Sequence, residues 1–98
     1  MLREYKDRIR PIAISIIRKN DEILVYQRKD DITKEIFYRL IGGCIEFTEA
    51  SDVALKREFK EEFNVNINII KHFHTTDIFQ LSAFKKEEQL ISIYYLIQ

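Results

Sequence analysis

The sequence predicts a mixed α+β fold in which a β-sheet carries one long helix on one face. Two observations lead to this prediction. The segment from Ala50 to Phe63 repeats apolar residues at the period of a helix, and segments rich in β-branched residues lie on both sides of it. Because the order is strands, helix, strands, a regular alternation of strands and helices is not expected. Ninety-eight residues suffice for one core, so we expect a single domain over residues 1–98.

Several segments have strand character. They are residues 9–17, 22–28, 65–73 and 89–98, with 77–82 as a shorter candidate. The first is nearly continuous in apolar residues, with Pro11 expected near its start. Asn20 and Asp21 tolerate the backbone of a tight turn, so the first two strands are expected to form a hairpin. A loop over 29–35 and a short apolar segment over 37–41 then lead to a double glycine at positions 42 and 43.

The helix has readable limits in the sequence. Residues 44–47 read as a brief extended segment, after which Thr48 is a candidate cap for a helix that starts near Glu49. Glu49 and Asp52 would favour the positive end of the helix dipole. At the other end, Asn64 follows the last periodic residue and readily adopts the left-handed conformation that closes a helix.

Composition narrows the function classes. The formal net charge is zero, which gives no sign of a nucleic-acid or membrane-surface partner. No apolar run reaches the length of a membrane span, and the charged first ten residues are unlike a signal peptide. The single cysteine, Cys44, cannot form an internal disulfide, and we expect an inert thiol in a cytoplasmic protein.

The helix concentrates carboxylates on one side. Glu58, Glu61 and Glu62 fall on a stripe beside the apolar stripe of Leu55, Phe59 and Phe63 when the segment is drawn as a helix. Like charges at these spacings repel, and a bound cation would turn the repulsion into binding. Hard divalent cations such as Mg²⁺ prefer oxygen ligands of this kind. The sequence therefore indicates a metal site on this helix.

A second interpretation of the same residues is a solvated amphipathic helix in which Lys56 and Lys60 balance the glutamates. The wider spacing favours the metal site. Glycine at 43, glutamate at 49, arginine at 57, glutamates at 58, 61 and 62, and apolar residues at 59 and 65 together resemble the Nudix box. Eight of the nine defined positions are met, and the departure is Asn64, where the family has glycine.

The resemblance implies a Nudix hydrolase with a fold of the α/β/α sandwich type. Family members usually continue with a further strand and a second helix on the opposite face of the sheet. We therefore expect this chain to be truncated at its C-terminus, or to have that face covered by a partner subunit, as in a homodimer. A non-catalytic Nudix-like domain that binds a nucleotide or regulates another protein is the alternative.

The implied activity is cleavage of a diphosphate bond in a nucleoside diphosphate linked to another group, with Mg²⁺ or Mn²⁺ as cofactor. Glu58, Glu61 and Glu62 would hold the metal together with the Gly42 carbonyl. Gly43 lets the backbone approach the site, and Arg57 and Glu49 would support it by orienting carboxylates. The metal would lower the pKa of a water that attacks phosphorus. Glu61 or Glu58 is expected to be the base, with Glu87 and Glu88 as alternatives.

Residues outside the box are less informative. Arg39 is the first candidate for a substrate phosphate contact, ahead of Arg10 and Arg28, although a surface cation is the competing interpretation. The aromatic residues Phe37, Tyr38 and Phe79 are more typical of a core than of a base-stacking site. His72 and His74 would share a strand face, but no third ligand accompanies them.

Overall fold

A computed structural model describes residues 8–81 and 87–98 of the chain, without the side chains of residues 78–81 and 87–88. The elements are β1 (Ile9–Lys19), β2 (Glu22–Ile23), β3 (Tyr26–Lys29), β4 (Ile36–Arg39), β5 (Gly42–Cys44), α1 (Ser51–Phe63), β6 (Ile69–Leu81) and β7 (Glu87–Ile97). Strands precede and follow one long helix, so the predicted mixed α+β class is confirmed.

The main sheet is built around a central parallel pair. Its strand order is β2-β1-β7-β6, and β5 also pairs with β1. β1 and β7 run parallel over nine residue pairs, from Ile9 opposite Gln89 to Ile17 opposite Ile97, whereas the other pairings are antiparallel. Side chains that are paired across a sheet lie on the same face. This register therefore assigns alternate residues of β1 to the two faces.

Helix α1 covers one face and forms the core there. The buried apolar residues are Ala13, Ile41, Ala54, Leu55, Phe59 and Ile97. Leu55 is fully buried and Phe59 is 4% exposed, as the apolar stripe predicts, and burying such side chains stabilises the fold by about 1.5–3 kcal/mol each. Phe63 ends the stripe at the surface, where its ring meets the rings of Phe59 and Tyr26.

The ends of α1 agree only in part with the predicted limits. Asn64 closes the helix in the left-handed conformation, at φ 54° and ψ 40°, which confirms its predicted role. The prediction for Thr48 is wrong, because the helix begins at Ser51 and its N-cap, Ala50, makes no side-chain cap hydrogen bond. Thr48 instead lies in a turn in which the Glu49 amide donates to the Glu46 carbonyl, and its φ is 72°. The start of the helix is therefore displaced by this turn.

The predicted strand over 22–28 is divided between two sheets. Arg18 pairs with Ile23 and Lys19 with Glu22, which confirms the hairpin, and Asn20 has the left-handed φ of a tight turn. After Leu24, whose amide still donates to Ile17, the chain leaves β1 and β3 pairs with β4 in a separate two-stranded ribbon. The ribbon packs on the end of α1, because the Tyr26 and Phe63 rings meet edge to face.

β6 is longer than predicted and starts later. Residues 64–68 lie outside it, and the segments that were predicted as two strands form one strand that ends at Leu81, while Ser82 lies outside the described residues. The register shifts twice, between Ile69 and Lys71 and between His72 and His74. Such bulges break the alternation from which strands are read in a sequence.

The sheet face away from α1 carries Ile12, Ile14, Ile16 and Tyr94, as the register requires. These side chains are partly exposed. In the part of the chain that the structure describes, no helix is long and apolar enough to cross a membrane.

Candidate functional site

The predicted site is organised around the guanidinium of Arg57. Its Nε and Nη2 donate to the two carboxylate oxygens of Glu49, at 2.7 and 3.1 Å, which is the forked geometry expected for this pair. Nη2 also donates to the Cys44 carbonyl at 3.0 Å, and Nη1 donates to Glu58 at 3.0 Å and to Glu61 at 3.1 Å. These contacts raise the pKa of Arg57 and lower the pKa of Glu49, chiefly through their mutual hydrogen bonds. The predicted positioning of carboxylates by Arg57 is thus present.

Glu46 is a further acid at this guanidinium that the sequence pattern does not single out. Its Oε1 lies 3.5 Å from Arg57 Nη1, and its amide donates to Glu49 at 3.0 Å. Position 46 is unspecified in the box, so the motif carries no signal for it. The only sequence signal is that an acid stands three residues before Glu49, within reach across a tight turn.

Glu58 lies between Arg57 and the double glycine. Its side chain is 17% exposed. Burial raises the pKa of its carboxyl, hydrogen bonding from Arg57 opposes the rise, and the nearby charges of Glu62 and Glu61 add to it. A Cβ on Gly43 would lie 2.7 Å from Glu58 Cγ and still closer to the carboxylate, so only glycine leaves room for Glu58 in this position.

Three carboxylates converge on one nitrogen of Arg57. Oxygens of Glu46, Glu58 and Glu61 lie 3.5, 3.0 and 3.1 Å from Arg57 Nη1. Across the described residues no three Asp, Glu, His or Cys side chains are arranged to hold a metal ion. Metal binding by Glu58, Glu61 and Glu62 stays a prediction.

The Gly42 carbonyl is directed away from β1. Ser15 donates its amide to Ile41, and Ile45 donates to Pro11, so these are hydrogen-bonded positions of the β1–β5 ladder. Hydrogen-bonded and non-hydrogen-bonded pairs alternate along an antiparallel ladder. Gly42 and Cys44 occupy non-hydrogen-bonded positions, so their carbonyls point away from β1. The Cys44 carbonyl meets Arg57 on that side. Metal binding by the Gly42 carbonyl stays a prediction.

A cavity of about 260 Å³ lies across β5 from Glu58. Its lining comprises Arg10, Ile12, Ile14, Arg39, Leu40, Gly42, Gly43, Cys44 and Tyr94. Ile12 and Ile14 share the register of Cys44 and Gly42 and face away from α1, whereas a Cβ on Gly43 would point at Glu58. The backbone of Gly42 and Gly43 therefore separates the acids from the cavity.

The cavity contains two of the arginines considered as phosphate contacts. Arg39 lines it next to the double glycine. Arg10 also lines it and donates to the Cys44 Sγ at 3.2 Å, and Cys44 is a partly buried residue. Arg28 is elsewhere, because it donates to the Tyr26 hydroxyl and lies 5.7 Å from the centre of that ring.

The remaining candidates are separated from this cluster. His72 pairs with Tyr95 and His74 with Tyr94, so the bulge between them places the histidines on opposite faces, and the expectation that they share a face is wrong. His72 Nε2 forms a hydrogen bond with the Thr75 hydroxyl. The side chains of Phe79, Glu87 and Glu88 lie outside the described residues.

Comparison with known proteins decides the family. A profile of the NUDIX domain matches residues 8–98. The chain belongs to the Nudix family. Comparison with curated proteins gives no significant match. The region from Gly43 to Val65 is therefore its Nudix box, with Asn64 in the position of the usual glycine.

Several solved structures share the fold. A MutT protein from Methanosarcina mazei Go1 aligns with a TM-score of 0.70 at 19% identity, over 90% of this chain and 62% of that chain. The E. coli ORF135 protein aligns with a TM-score of 0.66 at 19% identity, over 89% and 60%. A MutT NUDIX hydrolase from Burkholderia pseudomallei gives 0.64 at 19% identity, over 93% and 70%. The chain thus spans about three fifths of the first two structures.

Proposed function

We propose that this Nudix domain is a metal-dependent hydrolase that cleaves a diphosphate bond in a nucleoside diphosphate linked to another group, such as a nucleotide or a nucleotide sugar. The observation that carries the proposal is the set of glutamates gathered by Arg57 on α1, beside a glycine backbone that separates them from a cavity. Family membership supports a hydrolase of this class.

Mg²⁺ or Mn²⁺ is the proposed cofactor, and the chemistry of the donors fits it. Carboxylate oxygens and a carbonyl directed away from its ladder are the ligands such ions prefer. The repulsion that Glu61 and Glu62 exert on the largely buried Glu58 is the kind that a cation relieves. Glu58, Glu61, Glu62 and the Gly42 carbonyl would hold the metal. When bound, it would neutralise diphosphate oxygens and lower the pKa of the attacking water.

The side chains of the domain have distinct proposed roles in the reaction. Arg57 is a positioning residue, because it fixes Glu49 through two hydrogen bonds and Glu58 through one. Glu61, whose side chain is 59% exposed, is the first candidate to accept the proton of the water, and Glu58 is the second. Arg39 would contact a substrate phosphate from the cavity.

The cavity fits the remainder of the substrate. Its walls combine apolar side chains of β1 with the Tyr94 ring and two arginines, a mixture suited to a planar group attached to phosphates. One of the solved structures with this fold is a UDP-X diphosphatase, at 18% identity. We propose that a nucleotide binds in the cavity with its diphosphate next to the backbone of Gly42 and Gly43.

The test is product release from a panel of nucleoside triphosphates, nucleotide sugars and dinucleoside polyphosphates, with and without Mg²⁺. We expect Mg²⁺-dependent turnover of at least one substrate and a decrease in kcat of about 100-fold in Glu61→Gln. Glu35→Gln, which neutralises an exposed acid in the loop before β4, is the matched control and should retain the rate. Failure of the wild-type chain to hydrolyse any of these substrates while binding Mg²⁺ would contradict the proposal.

A further inference from the structure

Arg57 has fewer N–H donors than there are acceptor oxygens around it. An arginine side chain carries five N–H groups. All five are engaged, by the two oxygens of Glu49, the Cys44 carbonyl, Glu58 and Glu61. Glu46 lies 3.5 Å from Nη1, beyond those two acceptors. It is a sixth acceptor for which the guanidinium has no remaining hydrogen.

A divalent cation bound by the helix glutamates would change this balance. Glu58 and Glu61 both accept from Nη1, and both are proposed metal ligands. An oxygen that turns to a cation releases one N–H of Arg57. The Arg57 side chain is only 22% exposed, so leaving a charged donor there without a partner would oppose metal binding.

Glu46 is placed to accept the released N–H. Its backbone is fixed next to the site, because its amide donates to Glu49 and its carbonyl accepts from the Glu49 amide. Its side chain is 66% exposed and can move a few tenths of an ångström toward Nη1 without displacing packed neighbours. A fixed backbone and an exposed carboxylate together make a ready acceptor.

We propose that Glu46 is a positioning residue: it accepts the hydrogen bond from Arg57 Nη1 when Glu58 or Glu61 binds a divalent cation instead. It acts through Arg57 and does not bind the metal. Glu46 thereby keeps Arg57 bound to Glu49 in the metal-loaded site and raises the affinity for the cation. The proposal deepens the proposed function and rests on it for the metal.

The experiment measures Mn²⁺ binding by isothermal titration calorimetry, so that no substrate or turnover is needed. We expect Glu46→Ala to weaken Mn²⁺ binding by about fivefold, as for the net loss of one typical intramolecular hydrogen bond. Glu46→Gln, which keeps an acceptor but loses the charge, should have a smaller effect. Glu35→Ala removes an exposed acid away from the cluster and should bind as the wild type does.

A double-mutant cycle with Arg57→Met separates a role through Arg57 from a direct role. If Glu46 acts through the guanidinium, Glu46→Ala should change Mn²⁺ affinity by less than about twofold once Arg57 is absent. The same weakening in both backgrounds would overturn the proposal, because Glu46 would then act on the cation itself. Should Arg57→Met fail to fold by circular dichroism, Arg57→Lys replaces it, since lysine lacks the forked donors.

The outcomes distinguish this inference from the proposed function. Wild-type affinity in Glu46→Ala would overturn the inference alone and leave a metal-binding hydrolase intact. Absence of Mn²⁺ binding by the wild-type chain would overturn both. Binding without hydrolysis would contradict only the proposed function, and the cycle would still test Glu46.

Discussion

Arg57 and Glu58 show how burial and charge are balanced at the site. Glu58 carries a raised pKa because it is largely buried beside two other acids, and Arg57 offsets only part of that cost. Folding therefore makes ionisation of Glu58 less favourable than in the unfolded chain, although the proposed chemistry needs the ionised carboxylate. This opposition between stability and function is typical of residues whose pKa is shifted at a functional site.

The first consequence concerns Glu58→Gln, a neutral side chain of the same shape. A raised pKa in the folded state contributes stability below the ordinary glutamate pKa, and that contribution is lost as the pH rises through the folded value. Ionised Glu58 thus opposes folding at neutral pH. We expect Glu58→Gln to raise the Tm of the metal-free protein at pH 7, to leave it nearly unchanged near pH 4 and to abolish metal binding.

Thermal denaturation with EDTA at both pH values, followed by Mn²⁺ titration, measures these effects. A variant that is less stable than the wild type at pH 7 would show that the hydrogen bond from Arg57 outweighs the cost of burial. Glu35→Gln is again the control, because its carboxylate lies on an exposed loop.

Sequence reasoning succeeded for residues whose roles depend on helical spacing. Arg57 reaches Glu58 and Glu61 along one helix, and the left-handed Asn64 follows from its place after the last apolar residue. It failed where a turn sets the geometry. Thr48 has a positive φ that a β-branched residue rarely adopts, and Glu46 reaches Arg57 only because of that turn.

The double glycine of β5 has two separate functions in the sheet. Neither glycine has a positive φ, so space and not backbone conformation requires them. A Cβ on Gly42 would collide with the Ala13 carbonyl and lie 2.9 Å from Ile14 Cα, which are backbone atoms of β1. A Cβ on Gly43 would meet the Glu58 side chain, which can move. Gly42 therefore allows β5 to pair closely with β1, and Gly43 leaves space for the Glu58 side chain.

Two alanine variants should therefore behave differently. Gly42→Ala must push β1 and β5 apart, and we expect it to reduce the free energy of unfolding by about 3 kcal/mol. Gly43→Ala should cost about 1 kcal/mol or less but weaken Mn²⁺ binding at least about tenfold, because Glu58 is displaced. Urea denaturation with EDTA and Mn²⁺ titration provide the two measurements. Equal losses of stability in the two variants would contradict this division.

The elements that the sequence did not predict are those that depend on long-range pairing. The strand predicted over 22–28 is divided because β3 pairs with β4. No local sequence signal shows that the chain leaves the main sheet at Leu24 and Val25. The late start of β6 and its two bulges depend on the register with β7. Apolar periodicity identifies elements, but the partner strand fixes their limits.

Metal binding should also be visible in the stability of the whole domain. A ligand that binds only the folded state at ten times its Kd adds about 1.4 kcal/mol to the free energy of unfolding. For a domain of this size that corresponds to an increase in Tm of roughly 5–10 °C. We expect Mg²⁺ to produce this shift in the wild type and in Glu35→Gln but not in Glu61→Gln. Equal shifts in all three would place the cation outside the α1 acids.

The fold as a whole was predictable to the level of its class and its motif. The box specified the helix and the glycine at position 43 before it, and the resemblance supplied the family. The parallel pairing of β1 with β7 could not be derived from the residues, since both strands are apolar on both faces and fit several neighbours. The sheet face of Ile12 and Ile14, turned away from α1, follows from that pairing.

The central pairing of β1 with β7 also determines when the chain can fold during its synthesis. Ile9 and Gln89 are neighbours in the sheet although 80 residues separate them in sequence. The ribosome must therefore synthesise β7 before the central strands can meet, and until then β1 lacks its parallel partner. Such distant pairing slows folding. We infer that the sheet beneath the acidic site is completed only after β7 has been synthesised, however early α1 itself forms.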